Sequence, residues 1–241
     1  NGANSSFINR LLDPDTNSEW LAENPYIRVK SEKKEIPLPN QIFINRQNSS
    51  GMDISESENL ENLKNRLINF EDKLIDAKSI YEGREEDNKN VEKIFSISSK
   101  KEIGTVVFDN PKNIKQSLTK SLKTTWSNTS PNERSEILNK IANNIEEEPY
   151  ELIYFLINEA GKTIQNAIDE IREAVDFLRY YSNQILKISD ASDLEGPTGE
   201  ENLITYTSKG RFLCISPWNF PVAILIGQIS AALACGNKVV V

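Results

Sequence analysis

The 241-residue chain contains no histidine and only two cysteines, Cys214 and Cys235. The lack of histidine excludes Ser-His and Cys-His catalytic pairs and histidine metal ligands within this chain, and we predict no metal site. Two cysteines are too few for a disulfide framework, so the sequence favours a reducing, cytoplasmic compartment. Because both cysteines stand in apolar sequence, we interpret them as small packed residues and not as nucleophiles.

Negative charge outnumbers positive charge in this chain. The chain has 28 lysines and arginines against 36 aspartates and glutamates, a net charge of −8, and its pI is near 4.9. This balance provides no basic field to attract phosphates, so we expect no nucleic-acid partner for this segment. The longest apolar run, residues 220–235, is interrupted by Gln228 and is too short to cross a bilayer. No signal peptide opens the chain, and membrane contact is not indicated.

Regular apolar spacing begins only after residue 55. Residues 13–55 are rich in Asn, Ser, Pro and charged residues, and we predict a connector there. From Ser57 to about Ser79, apolar residues recur every three or four positions and predict an amphipathic helical arm. Asn110 and Ser130 each precede a proline, a pattern that marks the start of a helix.

Apolar spacing predicts two further helices, the second running from Thr163 to about Lys187. The charged residues of this long helix, which we place on its solvent face, are Asp169, Glu170, Arg172, Glu173, Asp176 and Arg179. A pair of catalytic carboxylates is the alternative interpretation. We interpret Lys162 as a cation at the carboxyl end of the preceding helix. Trp126 is interpreted as a packing residue and Arg134 as a surface residue.

The apolar pattern changes period after residue 202. Leu203–Thr207 and Phe212–Ser216 predict strands, Phe220–Ala234 is apolar nearly all round and predicts a buried helix, and Lys238–Val241 predicts another buried strand. A strand, helix, strand unit makes a parallel sheet that binds ligands at the carboxyl ends of its strands. The sequence therefore predicts an α/β fold, a parallel sheet with flanking helices, preceded by a helical arm and a connector.

Asn219 stands between a predicted strand and the predicted buried helix, where such a fold places its ligand. One interpretation is that its side-chain amide donates a hydrogen bond to a developing oxyanion, which is typically worth about 3 to 4 kcal/mol in the transition state. The other is that Asn219 caps a helix whose first residues are Phe220 and Pro221. Local spacing does not decide between the two.

The sequence Ile-Ser-Pro-Trp-Asn-Phe-Pro, residues 215–221, together with the small-residue run 231–237, resembles the signature of the aldehyde dehydrogenase superfamily. Residues 159–181, which begin Glu-Ala-Gly-Lys-Thr, resemble one branch in particular. That branch is the L-glutamate γ-semialdehyde dehydrogenase module of the bifunctional proline utilization A family. Residues 1–10 are similar to the segment that closes the proline dehydrogenase barrel of the same family.

This resemblance implies a two-step enzyme of proline catabolism. An FAD-dependent barrel oxidises proline to Δ1-pyrroline-5-carboxylate, and an NAD-dependent module oxidises the hydrolysed aldehyde to glutamate. The resemblance implies that residues 1–12 are the end of the barrel and that residues 56–241 form the first part of the NAD-binding domain. Residues 13–55 are the connector between the two. The resemblance further places residues 189–209 in an oligomerisation flap, so we expect a homo-oligomer that acts on a small-molecule substrate, with FAD bound in the missing barrel part.

In the resembled family, a cysteine thiolate attacks the aldehyde, a hydride passes to NAD, and a glutamate-activated water releases the acid. The resemblance implies that Asn219 is the side-chain oxyanion donor and that Phe220 borders the aldehyde tunnel. The residues that it places along the nicotinamide and its ribose are Ile215, Ser216, Pro217 and Trp218. The nucleophilic cysteine and the general-base glutamate are expected beyond Val241, so we predict that this chain alone is inactive.

Two alternatives remain open. One is a stand-alone aldehyde dehydrogenase with another substrate, against which the barrel resemblance of residues 1–10 argues. The other is a non-catalytic interaction module on the same fold. Because the chain starts and stops in mid-pattern, we expect a piece of a longer protein, and the enzyme interpretation predicts Lys-Pro directly after Val241.

Overall fold

The computed structural model describes residues 12–15, 17, 19, 22, 36–81, 84–85, 90–120, 125–189 and 192–241. The chain divides into two compact units, Asn1–Pro37 and Leu38–Val241. In the first unit, Asp15 N donates to Asp13 Oδ1 at 3.0 Å in a local turn. The predicted end of the barrel, residues 1–12, lies outside the described residues except for Leu12, as does most of the connector up to residue 35.

The helices and strands of the second unit are numbered here in chain order. The α-helices are α1 Ser57–Ile68, α2 Pro111–Lys120, α3 Pro131–Glu147, α4 Tyr150–Asn158, α5 Ile164–Ser189 and α6 Ala223–Ala234. The strands are β1 Ile75–Ala77, β2 Ile80–Tyr81, β3 Arg84–Glu85, β4 Val91–Phe95, β5 Glu102–Val107, β6 Ser192–Leu194, β7 Asn202–Ile204, β8 Arg211–Leu213 and β9 Lys238–Val240.

Two helices begin at the capping residues that the sequence indicates. Ser130 Oγ accepts a hydrogen bond from Glu133 N at 3.2 Å, and Glu133 Oε2 accepts one from Ser130 N at 3.0 Å, which forms a capping box before α3. Asn110 Oδ1 accepts from Asn113 N at 2.9 Å at the start of α2. Both predicted helix starts are confirmed.

The described strands form small sheets. In one of them β5 lies between β1, which is parallel to it, and β4, which is antiparallel. A Cβ on Gly104 of β5 would lie 2.1 Å from the Ile75 carbonyl oxygen, so only glycine allows this pairing. β2 pairs with β3 and β6 with β7, both antiparallel. β8 is parallel to β9, with Phe212 opposite Val239, and α6 connects them, which confirms the predicted strand, helix, strand unit.

Helix α5 lies at the centre of the packing. One buried core joins it to α1 and α4 through Leu63, Ile153, Leu156, Ala167, Ile168 and Ile171. A second joins it to α3 and α6 through Leu138, Ala142, Val175, Leu178, Ile185 and Ala234. Burying each large aliphatic side chain contributes about 1.5 to 3 kcal/mol. Because α5 belongs to both cores, it fixes α6 relative to the helices that precede it.

Two predicted helices differ from the structure at one end. The predicted arm helix, residues 57–79, is too long, because α1 ends at Ile68 and β1 occupies part of the remaining range. Apolar spacing continues through the intervening turn, which explains the error. The predicted helix over residues 220–234 begins only at Ala223, because Phe220 lies in the loop that precedes it.

Part of the predicted connector, within residues 38–55, packs against α5. Ser49 donates from its backbone N and its Oγ to the Asp176 carboxylate at 2.7 and 3.0 Å. Arg179 is 4% exposed and donates from Nη1 to Asn48 O at 3.1 Å. The prediction that Arg179 lies on a solvent face is therefore wrong. Met52 and Ile54 of the same segment also pack against the first core. Neither these two residues nor the polar contacts follow a helix or strand period, so periodicity did not reveal the segment.

Candidate active site

The loop between β8 and α6, residues 214–222, is the candidate site. It leaves a parallel strand at its carboxyl end, where α/β sheets bind their ligands. Cys214 N still pairs with Val240 O at 2.8 Å, so the chain leaves the sheet after this residue. Residues 217–221 then cross to the helix with Asn219 in their middle. The corner lies where the sequence predicts it.

Ser216 closes this loop on itself. Its hydroxyl lies 3.0 Å from the Phe220 carbonyl oxygen and 3.1 Å from the Pro221 carbonyl oxygen, to which it donates. Phe220 N donates to Pro217 O at 3.3 Å. The Ser216 side chain thus stabilises the loop, while the roles of Ser216 and Pro217 beside the cofactor stay predictions.

Asn219 is exposed, and its side-chain amide makes no hydrogen bond with any other residue that the structure describes. The N-cap of α6 is Val222, which has no side-chain cap. The interpretation of Asn219 as the helix cap is therefore wrong. Its amide remains available to a ligand at the carboxyl end of β8.

A carboxylate from α5 caps α6 instead. Glu170 Oε1 accepts from Val222 N at 2.7 Å and from Ala223 N at 3.2 Å. A negative charge at a helix N-terminus interacts favourably with the backbone dipoles and the free N–H groups there. Glu170 is only 1% exposed, so the prediction that it lies on a solvent face is wrong. The start of α6 supplies the donors that a buried carboxylate needs.

Lys162 completes this buried cluster. Its Nζ lies 2.7 Å from Glu170 Oε2 and 4.0 Å from the centroid of the Phe220 ring. Lys162 therefore neutralises Glu170 and does not serve as a cation at the end of α4, contrary to the prediction. The pair was missed because Lys162 precedes α5, and no helical spacing rule pairs it with Glu170. The sequence points to this pair only through residues 159–181, which contain both Lys162 and Glu170 and resemble the L-glutamate γ-semialdehyde dehydrogenase module.

An open groove of about 520 Å³ lies beside β8 and α6. Its lining residues are all uncharged and are Phe212, Leu213, Cys214, Ile215, Gln228, Ala231, Ala232, Cys235 and Asn237. In the adjoining loop, Ile215 is 70% and Trp218 84% exposed. Large accessible apolar side chains next to an uncharged groove suit packing against an apolar or planar group. The groove lining offers no charged partner for the phosphates of a dinucleotide.

The two cysteines differ in their surroundings. Cys214 is 4% exposed, and burial raises the pKa of its thiol, so the prediction that it is a packed residue is confirmed. Cys235 is exposed, and the prediction that it is packed is wrong. Cys235 is the C-cap of α6, where the chain turns away from the helix.

Trp126 and Arg134 lie near the carboxyl end of α6. Trp126 Nε1 donates to Leu233 O at 2.9 Å, in agreement with its predicted packing role. Arg134 is 8% exposed, so its assignment to the surface is wrong. A Cβ on residue 236 would lie 2.5 Å from Arg134 Nη1, so the packing of Arg134 favours glycine there. The backbone φ of Gly236, +75°, also favours glycine.

The predicted flap, residues 189–209, contains the antiparallel pair of β6 and β7. Its role in oligomerisation stays a prediction. Within the described ranges, cysteines and carboxylates form no group of three or more that would suit a metal ion. The described helices include none with the length and apolar character needed to span a membrane.

The chain matches the model of the aldehyde dehydrogenase family over residues 84–241. It is 35% identical over 252 residues to the bifunctional protein PutA of Escherichia coli, covering 99% of this chain and 18% of that protein. It is 43% identical over 115 residues to the 1-pyrroline-5-carboxylate dehydrogenase of Geobacillus thermodenitrificans, covering 48% of this chain and 22% of that protein. A solved structure of the 1-pyrroline-5-carboxylate dehydrogenase from Thermus with bound NAD is 27% identical, with a TM-score of 0.74, over 82% of this chain and 39% of that one.

These similarities confirm the resemblance seen in the sequence and the α/β fold class. The chain spans 18% and 22% of the lengths of the two curated relatives. Since the family model matches more than half of its residues, from 84 to 241, the chain belongs to the aldehyde dehydrogenase family.

Proposed function

We propose that the chain is part of an NAD-dependent enzyme of proline catabolism. Its aldehyde dehydrogenase module oxidises L-glutamate γ-semialdehyde, formed from Δ1-pyrroline-5-carboxylate, to glutamate. The similarity to PutA and to 1-pyrroline-5-carboxylate dehydrogenase supports this substrate. The structural observation that carries the proposal is the exposed amide of Asn219, which lies at the carboxyl end of a parallel strand.

Asn219 acts on the charge that forms during aldehyde oxidation. When a nucleophile adds to the aldehyde carbon, the π electrons of the carbonyl move to its oxygen, which becomes an oxyanion. An amide N–H held at this oxygen stabilises the anion more than the neutral carbonyl, and so lowers the barrier. The nucleophile itself is expected beyond Val241.

NAD supplies the hydride acceptor for this oxidation. The residues that would hold its nicotinamide half are Ile215, Ser216, Pro217 and Trp218. The exposed side chains of Ile215 and Trp218 suit packing against a planar ring, and the Ser216 hydroxyl keeps the loop closed. Phe220, which is 37% exposed, would border the path of the aldehyde.

The same proposal assigns the rest of the chain. Residues 1–12 end an FAD-dependent proline dehydrogenase barrel, residues 13–55 connect it to the next domain, and residues 56–241 begin the NAD-binding domain. The bifunctional PutA relative, which aligns with 99% of the chain, supports this order. The hairpin of β6 and β7 lies in the proposed flap, residues 189–209, through which the full protein forms a homo-oligomer.

Replacing Asn219 with alanine in the full-length protein tests the proposal. We expect kcat with pyrroline-5-carboxylate to fall about 10²- to 10³-fold, because the amide stabilises a charge that is absent from the bound aldehyde and develops in the transition state. The Kd for NAD should change by less than about twofold. Steady-state kinetics gives kcat, and a fluorescence titration gives Kd. Asn69→Ala, at the exposed end of α1, is the matched control.

The possible results separate the alternatives. An unchanged kcat in folded Asn219→Ala removes Asn219 from the reaction, and a selective loss of NAD binding assigns it to the cofactor. An unmodified full-length protein that oxidises only other aldehydes is a different aldehyde dehydrogenase. One that binds NAD but oxidises no aldehyde is a non-catalytic module.

A further inference from the structure

The buried pair of Lys162 and Glu170 contacts the chain on the C-terminal side of Asn219. Lys162 Nζ lies 4.0 Å from the centroid of the Phe220 ring, one residue after Asn219. Glu170 Oε1 accepts from the backbone N of Val222 and Ala223 at 2.7 and 3.2 Å. The pair therefore holds both the end of the loop and the start of α6.

A buried ion pair at this position is costly as well as stabilising. The side chains of Lys162 and Glu170 are 10% and 0% exposed, so both charges carry a large desolvation cost. Apolar side chains of similar volume often stabilise a protein as well or better. Charge-assisted contacts add direction, because Glu170 must face the N–H groups of α6 and Lys162 must face Glu170.

The contacts of Lys162 and Glu170 reach Asn219 through the loop, because hydrogen bonds join the two ends of this loop. The Ser216 hydroxyl bonds to the carbonyl oxygens of Phe220 and Pro221 at 3.0 and 3.1 Å. These hydrogen bonds connect Ser216, at the start of the loop, to Phe220 and Pro221 at its end, and Asn219 lies between them. We propose that Lys162 and Glu170 are positioning residues, which place the Asn219 amide where the oxyanion forms. This inference rests on the proposed function of Asn219.

Glu170→Gln in the full-length enzyme removes the charge but keeps the size and one acceptor oxygen. We expect kcat with pyrroline-5-carboxylate to fall at least about tenfold, because displacing a catalytic group by about 1 Å costs up to about a hundredfold. The double variant Lys162→Met/Glu170→Gln leaves no unpaired buried ion. We expect it to fold and to show the same loss of kcat.

Coupling to Asn219 distinguishes positioning from a general loss of structure. In an Asn219→Ala background, Glu170→Gln should lower kcat no further, because the group that Glu170 positions is absent. A merely structural defect lowers kcat by the same factor in both backgrounds.

Glu146→Gln is the matched control. Glu146 of α3 pairs at 2.5 Å with the buried Arg179 of α5. Arg179 lies about 14 Å along the axis of α5 from Glu170. We expect a lower melting temperature and an unchanged kcat. The inference is overturned if folded Lys162→Met/Glu170→Gln keeps the wild-type kcat, or if the effect of Glu170→Gln is undiminished without Asn219. A wild-type kcat in Asn219→Ala instead contradicts the proposed function itself.

Discussion

At the residue scale, Cys214 is the site residue whose own reactivity is suppressed by its surroundings. It is 4% exposed, and burial raises the pKa of its thiol. Because the thiolate is the nucleophilic form, the raised pKa lowers its fraction at neutral pH, and reactivity returns only at more alkaline pH. We expect iodoacetamide to label Cys214 of the native full-length protein more slowly than a cysteine in a short peptide, as measured by peptide mass spectrometry.

Cys214→Ala should also keep kcat within about twofold, because another residue serves as the nucleophile. Rapid labelling of Cys214 at neutral pH, or loss of turnover in a folded Cys214→Ala variant, would instead identify Cys214 as the nucleophile.

Single residues also mark how far sequence reasoning reaches. The position of Asn219 was predicted correctly because it depends on a local change from strand to helix. The burial of Glu170 and Arg179 was not predicted, because their partners lie far away along the chain, at the start of α6 and in residues 38–55. The sequence pattern of a charged helix face is the same whether its side chains contact water or the backbone of a distant segment.

At the element scale, the capping box before α3 gives a measurable prediction. Ser130→Ala removes the hydroxyl that accepts from Glu133 N and should cost about 1 kcal/mol of local stability. We expect amides in the first turns of α3 to exchange hydrogen about fivefold faster, as measured by mass spectrometry of the full-length protein. Ser127→Ala, in the short 3₁₀ helix Trp126–Asn128 that precedes α3, is the control and should leave the exchange in α3 unchanged.

The second half of the capping box depends on pH. The hydrogen bonds from the Ser130 backbone and side chain lower the pKa of Glu133 in the folded chain. The stabilisation by Glu133 is therefore fully present above the ordinary pKa of a glutamate and is lost as the pH falls through the lowered value. If the α3 amides are equally protected from hydrogen exchange above the ordinary pKa of a glutamate and below the lowered pKa of Glu133, Glu133 does not stabilise the start of α3.

Helices with local start signals and the strands on either side of α6 were predictable, whereas the two-residue strands β2 and β3 were not. Ser130 and Asn110 cap their helices from within the same few residues. Strands such as β2 and β3 have two residues each and are defined by their pairing, so no period of two can develop in the sequence. Such strands are defined by the backbone hydrogen bonds between the paired segments, which the sequence pattern does not show.

At the scale of the whole molecule, helix α5 links the parts of the second unit. It shares one core with α1 and α4 and another with α3 and α6. Its polar residues reach further, with Glu170 at the candidate site and Arg179 at Asn48. Such contacts have no local period, which is why the family resemblance and not composition indicated the candidate site.

The most direct test of the proposed function follows NADH formation from Δ1-pyrroline-5-carboxylate and NAD, in parallel for the full-length protein and for residues 1–241 alone. We predict that the full-length protein forms glutamate and NADH in equal amounts. Residues 1–241 should form none, because the nucleophile and most of the substrate pocket are expected beyond Val241. A full-length protein that leaves this substrate untouched, or an isolated chain that turns it over, would contradict the account.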